Sequence, residues 1–369
     1  MVTLGGDPSE FSGRFCIAVY RAAQAEVDMG IFRRKGNPAP VHPISAFWEW
    51  WAAEGRDRFG TAVKTGEWDD LPSVMTQQLA NVHPDLAWDT GRGHRSDHLL
   101  VVSAEGDAAL RRVAEQWLRA APSADEVWDF ASARQPVPGV IENVLDINGT
   151  KFPLGDIRFG LSADDQRESI DLEVYHPLFG QMPGDEPLRV SFLVLDWLLG
   201  EDGVERWVGA INTTTSAAVA TATATDLIEA INRITAQAQP DQWAFLQGTT
   251  PAGERMVVMA RRPLRWIDYP LFDLHTEVSL TYADQREDGL PTETALNRLR
   301  QIEDDITAAL GPRGILLAHE TANGTRVLHY YTDSDDQNGH AAIEAAARPV
   351  GAATTQAPDP GWMDLRQYS

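Results

Sequence analysis

The chain has 369 residues, 43% apolar and 23% charged, long enough for two or three domains and too apolar for extended disorder. Asp and Glu outnumber Lys and Arg by 54 to 31; the resulting charge of −23 disfavours binding to nucleic-acid backbones or to a membrane surface. The single cysteine, Cys16, excludes an intrachain disulfide and a multi-cysteine metal site, and the longest apolar stretch, Val190–Leu199, is too short to span a bilayer, so a cytoplasmic location is expected.

In chain order, Phe15–Tyr20 reads as a strand or an ambiguous segment, and Arg33–Pro38 as a loop. Ile44, Phe47, Trp48 and Trp51 recur at helical spacing, which predicts one apolar helix face. Trp50 points away from that face and is therefore a candidate surface or interface residue. A second helix is expected near 72–82. Leu99–Val102 reads as a buried strand, followed by a helix with Asp107 at its N-cap and Leu110, Val113, Ala114, Trp117 and Leu118 on one side. Val127–Ala133, Asp156–Leu161 and Ile170–Tyr175 read as strands. An apolar helix through Phe192, Leu195 and Leu199 is interrupted at Gly200-Glu201-Asp202-Gly203; Val204, Trp207, Val208 and Ile211 then resume an amphipathic face. The Ala/Thr-rich stretch after Asn212 marks a domain junction, with a strand as the alternative for its Thr-rich part, and a linker helix at 226–240 is expected.

Beyond the junction, Trp243–Gln247 and Arg255–Ala260 flank a Pro/Gly turn and are expected to form a hairpin. Leu274, Thr276, Val278, Leu280 and Tyr282 alternate with His275, Glu277, Ser279 and Thr281, a strand with the first set buried and the second wet. Pro291 opens a helix with Leu296, Leu299, Ile302, Ile306 and Leu310 facing in, stopped by Gly311-Pro312. Ile315–Glu320 and Thr325–Tyr331 pair around Asn323-Gly324, a type I′ signature. A helix at His340–Ala347 and a strand at Ala352–Gln356 complete the order strand, helix, strand, strand, helix, strand, which is the ferredoxin-like pattern. The expected fold is α+β: two domains with mixed or antiparallel sheets backed by helices, one at 1–225 and a ferredoxin-like one at 241–369.

Asp288-Gly289-Leu290-Pro291, Ile302-Glu303-Asp304, Glu320 to Arg326 with Tyr330-Tyr331, and Asp359-Pro360-Gly361-Trp362 resemble the bacterial domain-of-unknown-function family 695. Phe47-Trp48-Glu49-Trp50-Trp51 and Val102 to Asp107 are similar to the region commonly attached to that domain. The resemblance implies a ferredoxin-like C-terminal domain and brings no activity with it.

The chemistry-bearing residues are sparse. Ser103 lies between a strand and a helix but lacks a nucleophile-elbow context, and neither a P-loop nor a dinucleotide fingerprint occurs. His94 and His98 sit in a Gly-rich loop. His319 and His329 face opposite ways, because around Asn323-Gly324 the opposed pairs are 319 with 328 and 318 with 329. Asp333, Asp335, Gln337 and Glu344 fall at EF-hand positions without the central glycine. Asp196 and Glu201 straddle the helix break, either as a polar spot in a cleft or with a carboxylate capping the following helix. Glu320 and Arg326 are expected in cross-strand ion pairs. No catalytic set, metal or cofactor is expected. The leading functional expectation is a binding or regulatory protein that engages a basic protein partner through its acidic surface; the alternative is a hydrolase-like enzyme with an inter-domain cleft of acids and histidines.

Overall fold

The computed structural model describes residues 3–5 and 42–369 apart from 94, 148, 166 and 240. The segments Phe15–Tyr20 and Arg33–Pro38, and His94, lie outside the described residues. The chain divides into two compact units, the first holding residues 1–164 and 169–235, the second 165–168 and 236–369.

In the first unit, a short strand β1 (Thr3–Gly5) precedes helix α1 (Pro43–Trp50), which buries Ile44, Phe47 and Trp48. One π-helical turn, Trp51–Gly55, joins it to α2 (Arg56–Thr65). Gly55 is required in that turn: a Cβ there would stand 2.9 Å from the Trp51 ring and 3.0 Å from that of Trp50. Helix α2 ends in a left-handed Gly66, and α3 (Leu71–Ala80) follows. Strands β2 (Ala87–Gly91), β3 (His98–Ser103) and, after helix α4 (Ala108–Arg119), β4 (Trp128–Ala131) form a sheet, antiparallel between the first two and parallel between the last two. Asp107 caps α4 as expected, accepting from the amides of Ala109 and Leu110. Trp48, Trp51, Phe59, Trp117 and Trp128 fill the core between sheet and helices. The Trp48 and Trp117 rings stack at 4.6 Å, and Trp48 Nε1 donates to the Trp117 carbonyl.

The same unit continues with the hairpin β5 (Val144–Ile147) and β6 (Thr150–Pro153), which β1 extends, and then β7 (Arg158–Asp164), β8 (Ser169–Tyr175), α5 (Glu186–Leu199), α6 (Glu201–Trp207), β9 (Val208–Thr214) and α7 (Ala224–Gln237). Two expectations are corrected here. Val208 and Ile211 do not continue a helix; they pair with Ile170 and Leu172 in a parallel β8–β9 ladder, which satisfies the β8 edge that a longer α6 would have left open. Helix α7 is no linker either. Its Ala224, Leu227, Ala230 and Ile231 are buried in one core with Leu172, Val194 and Leu195.

The second unit is built on a sheet of β10 (Gln242–Thr249), β11 (Arg255–Arg262), β12 (Leu274–Thr281), β13 (Gly314–Ala322), β14 (Thr325–Thr332) and β15 (Ala353–Pro358), with helices α8 (Glu293–Leu310) and α9 (Gln337–Ala347). The spatial order is β10-β11-β13-β14-β12-β15, antiparallel throughout. Asn323 and Gly324 both take positive φ, 38° and 77°, as the tight β13–β14 turn demands. Helices α8 and α9 cover one face: Leu299, Ile306, Leu310 and Ile343 pack on Val278, Leu280, Leu328 and Tyr330. The other face, expected to be wet, is also covered. Trp362, Leu365 and Tyr368, on and before the 3-10 turn Met363–Tyr368, pack on Val258, Ala260, Ile315, Leu317 and Tyr331. His275 is therefore buried, and only the Glu277 end of that β12 face keeps partial access. The molecule is α+β, with helices packed on antiparallel and mixed sheets.

Candidate functional site

Three constellations of polar side chains stand out, each within one unit. The first is an acidic groove of about 340 Å³ between α2 and α3, lined by Asp57, Arg58, Glu67, Asp69 and Asp70 with Thr61 and Thr65. Gly66 ends α2, and the half-buried Trp68 anchors the connecting loop in the aromatic core. Asp69 takes φ 41°, a left-handed conformation that Asp tolerates better than most residues. Arg58 bridges Glu54 and Asp70 at 2.5 and 2.6 Å. Asp57, Glu67 and Asp69 are exposed and have no ion pair among the described residues. The lining thus holds four carboxylates against one guanidinium, a field that attracts Lys and Arg side chains.

The second constellation collects Asp196 and Glu201 around Arg134. Its guanidinium lies 3.0 Å from Asp89, 3.2 Å from Glu105 and 3.6 Å from Asp196. Glu201 does not cap α6. Its carboxylate accepts from Ser103 Oγ at 2.7 Å and from the amides of Gly106 and Arg134 at 3.2 Å. Ser103 and Glu201 are both buried, 0% and 7% exposed, so the Ser103 hydroxyl is closed to a substrate. Burial disfavours the Arg134 charge, yet Asp89, Glu201, Asp196 and Glu105 outweigh it and hold its pKa above the usual value. Burial raises Asp89, with Arg134 opposing. Asp196 is pushed up to about 7, first by burial and then by the neighbouring Glu201 charge, against Arg134. One cation among four carboxylates leaves a negative excess that a proton on Asp196 relieves. A cavity of about 560 Å³ opens beside this cluster, with Arg134, Pro136, Leu199, Trp207 and Ile231 in its wall.

The third lies on the covered face of the second unit. Register sets His275 opposite Tyr331 and Glu277 opposite His329 on β12 and β14, so all four share that face. His275 Nε2 stands 3.0 Å from His329 Nδ1, and His275 Nδ1 stands 3.0 Å from Asp364 Oδ2. His329 Nε2 contacts Glu320 at 3.3 Å, an electrostatic contact outside hydrogen-bond alignment, and Glu320 also accepts from Tyr368 Oη. The His329 contact, with the Tyr368 hydroxyl, holds Glu320 below the usual carboxylate range despite burial. Burial and then His329 lower His275. Tyr331 donates to Asp359 at 2.6 Å, and burial raises its hydroxyl. The result is a chain of carboxylate, imidazole, imidazole, carboxylate and phenol.

Arg326 belongs to the opposite face. It pairs in register with Thr321 and donates to that hydroxyl at 3.0 Å, while its other nitrogen lies 3.5 Å from Glu303 on α8. Burial lowers its pKa, with Glu303 opposing. Glu320 and Arg326 are therefore separated by the sheet. His319, paired with Leu328, is on the Arg326 face and contacts Glu303 at 2.9 Å; His329 is on the other, as the hairpin spacing requires. Trp50 is half-buried, with its ring 5.6 Å from Phe47 and 6.5 Å from Phe59, at the rim of the aromatic core. His275, Glu277, Asp364 and the His275–His329 contact were not singled out from sequence. The i, i+2 placement of a histidine and a carboxylate on β12 was the available signal.

Residues 257–368 match the family DUF695, a family of unknown function, and the histidine constellation falls inside that span. No curated protein and no solved structure matches the chain.

Proposed function

We propose that this chain is a cytoplasmic binding or regulatory protein that engages a lysine- or arginine-rich segment of a partner protein through the α2–α3 groove. The observation that carries the reading is the groove's lining, four carboxylates against one arginine, with Asp57, Glu67 and Asp69 left to an incoming cation. The overall charge of −23 supports it, because a field of that sign steers a basic partner toward the surface and raises the rate of encounter. Fixed positions help as well: the groove's backbone is set by the αL cap at Gly66 and by Trp68 in the core, so ordering it on binding costs little. Catalysis finds less support. Glu201 is held by three donors, and His275 and His329 are 4% and 5% exposed beneath the C-terminal turn.

The test is native co-purification with the full chain and with the triple variant Asp57→Asn, Glu67→Gln, Asp69→Asn. A partner rich in Lys and Arg, retained by the wild type and released by the variant or by raised salt, is the expected result. Retention of the same partner by the triple variant at unchanged strength would remove the groove from the account.

A further inference from the structure

The histidine constellation of the second unit offers a site that the partner reading does not use, and it stands on separate residues. Asp364 accepts only from a protonated Nδ1 of His275, so the facing Nε2 of a neutral His275 is bare. Glu320, 3.3 Å from His329 Nε2, favours the proton on that nitrogen, which leaves His329 Nδ1 bare as well. These tautomers follow from the hydrogen-bonding groups around each ring. Two buried lone pairs then face each other across 3.0 Å, an arrangement that a cation between them relieves.

The Glu277 carboxylate completes the set: His275, Glu277 and His329 each bring one ligand atom, all within 4.8 Å of one another. Glu277 is oriented by Thr355, whose hydroxyl donates to it at 3.2 Å from the edge strand β15. Two ligands at i and i+2 of one strand and the third across on its neighbour is a rigid way to place three donors on one face. An ion about 2.1 Å from both nitrogens subtends about 90° at the observed spacing and reaches a tetrahedral angle once the rings part by about 0.4 Å. A second grouping, His275 with Asp359 and Asp364, is less suited. Asp359 already accepts from Tyr331 Oη and from the amides of Met363 and Asp364, as the cap of the C-terminal turn.

We propose that His275 Nε2, His329 Nδ1 and the Glu277 carboxylate bind one divalent transition-metal ion of the zinc class, with a fourth position open toward solvent on the Glu277 side. A nitrogen-rich, single-carboxylate set selects such an ion over calcium or magnesium, which prefer an all-oxygen shell. Asp364 and Glu320 act as positioning residues that fix the two imidazoles in their ligating tautomers.

The experiment titrates the full chain, freed of metal by a chelator, with Co²⁺ and follows its visible absorption; Zn²⁺ then competes. The expected result is one equivalent per chain, displaced by Zn²⁺, with His329→Asn abolishing the band. Glu277→Gln and Asp364→Asn alter partly exposed or exposed side chains, so they keep the question open to decision if His329→Asn fails to fold. Each is expected to weaken Co²⁺ by about tenfold or more. His83→Gln, in the first unit, is expected to change nothing. No cobalt band in the wild type, which means that a proton alone bridges the imidazoles, would overturn the proposal. So would affinity unchanged in both Glu277→Gln and Asp364→Asn.

Discussion

Asp196→Asn is the substitution whose consequence is most fully determined by the structure. The wild-type carboxyl is mostly buried beside Glu201 and Arg134 and titrates at about 7. In the unfolded chain an Asp titrates near 3.9. Because the folded-state value is the higher one, the folded protein holds a proton that the unfolded chain has released throughout the interval between them. The stability contributed is fully present below about pH 4 and is lost as pH rises through about 7. At about 1.4 kcal/mol for each pKa unit, the ceiling on this loss is about 4 kcal/mol. Asparagine is a neutral isostere and removes the dependence. The variant is therefore expected to match the wild type below about pH 4, to exceed it by about 1.5 kcal/mol at pH 5 and by up to about 4 kcal/mol at pH 8. Denaturant unfolding followed by tryptophan fluorescence is the assay, since Trp51, Trp117 and Trp128 are buried reporters in the same unit. Comparing the two proteins at each pH cancels the titration of other groups. A difference between variant and wild type that is equal at pH 5 and pH 8, or larger at pH 5, would refute the reasoning.

Two further substitutions test the architecture. Asp107→Ala removes the cap that two amides of α4 use and is expected to lower stability by about 1 kcal/mol, measured by thermal unfolding; Asp107→Ser should restore most of it. Tyr331→Phe removes the hydroxyl from the buried Asp359 carboxylate and is expected to cost about 1–3 kcal/mol. Amide exchange of residues 359–368 should then quicken, and unchanged exchange there would separate that hydrogen bond from the anchoring of the turn.

Elements with a strong local period were legible in the sequence. The β12 alternation, the helix of Leu299 and Ile306, the Asn323-Gly324 turn and the 318/329 register all follow from spacing within a few residues. What escaped depends on distant partners. Val204, Trp207, Val208 and Ile211 fit a helical face on spacing alone, and only the presence of β8 alongside turns the last two into strand. Alternation placed His275 on a solvent face, because nothing local to β12 announces that residues 362–368 return to cover it. The His275–His329 contact joins residues 54 positions apart through a strand pairing that no turn specifies. Asp196 and Glu201 were legible as polar groups in an apolar helix, but their common partner, Arg134, stands 67 positions from Glu201 and no local pattern links them.

Hydrogen–deuterium exchange of the full chain with and without its co-purified partner tests the central claim most directly. The account predicts protection concentrated in residues 56–71, fading as salt is raised. Protection confined to other surfaces, with the α2–α3 groove exchanging at its free rate, would contradict it.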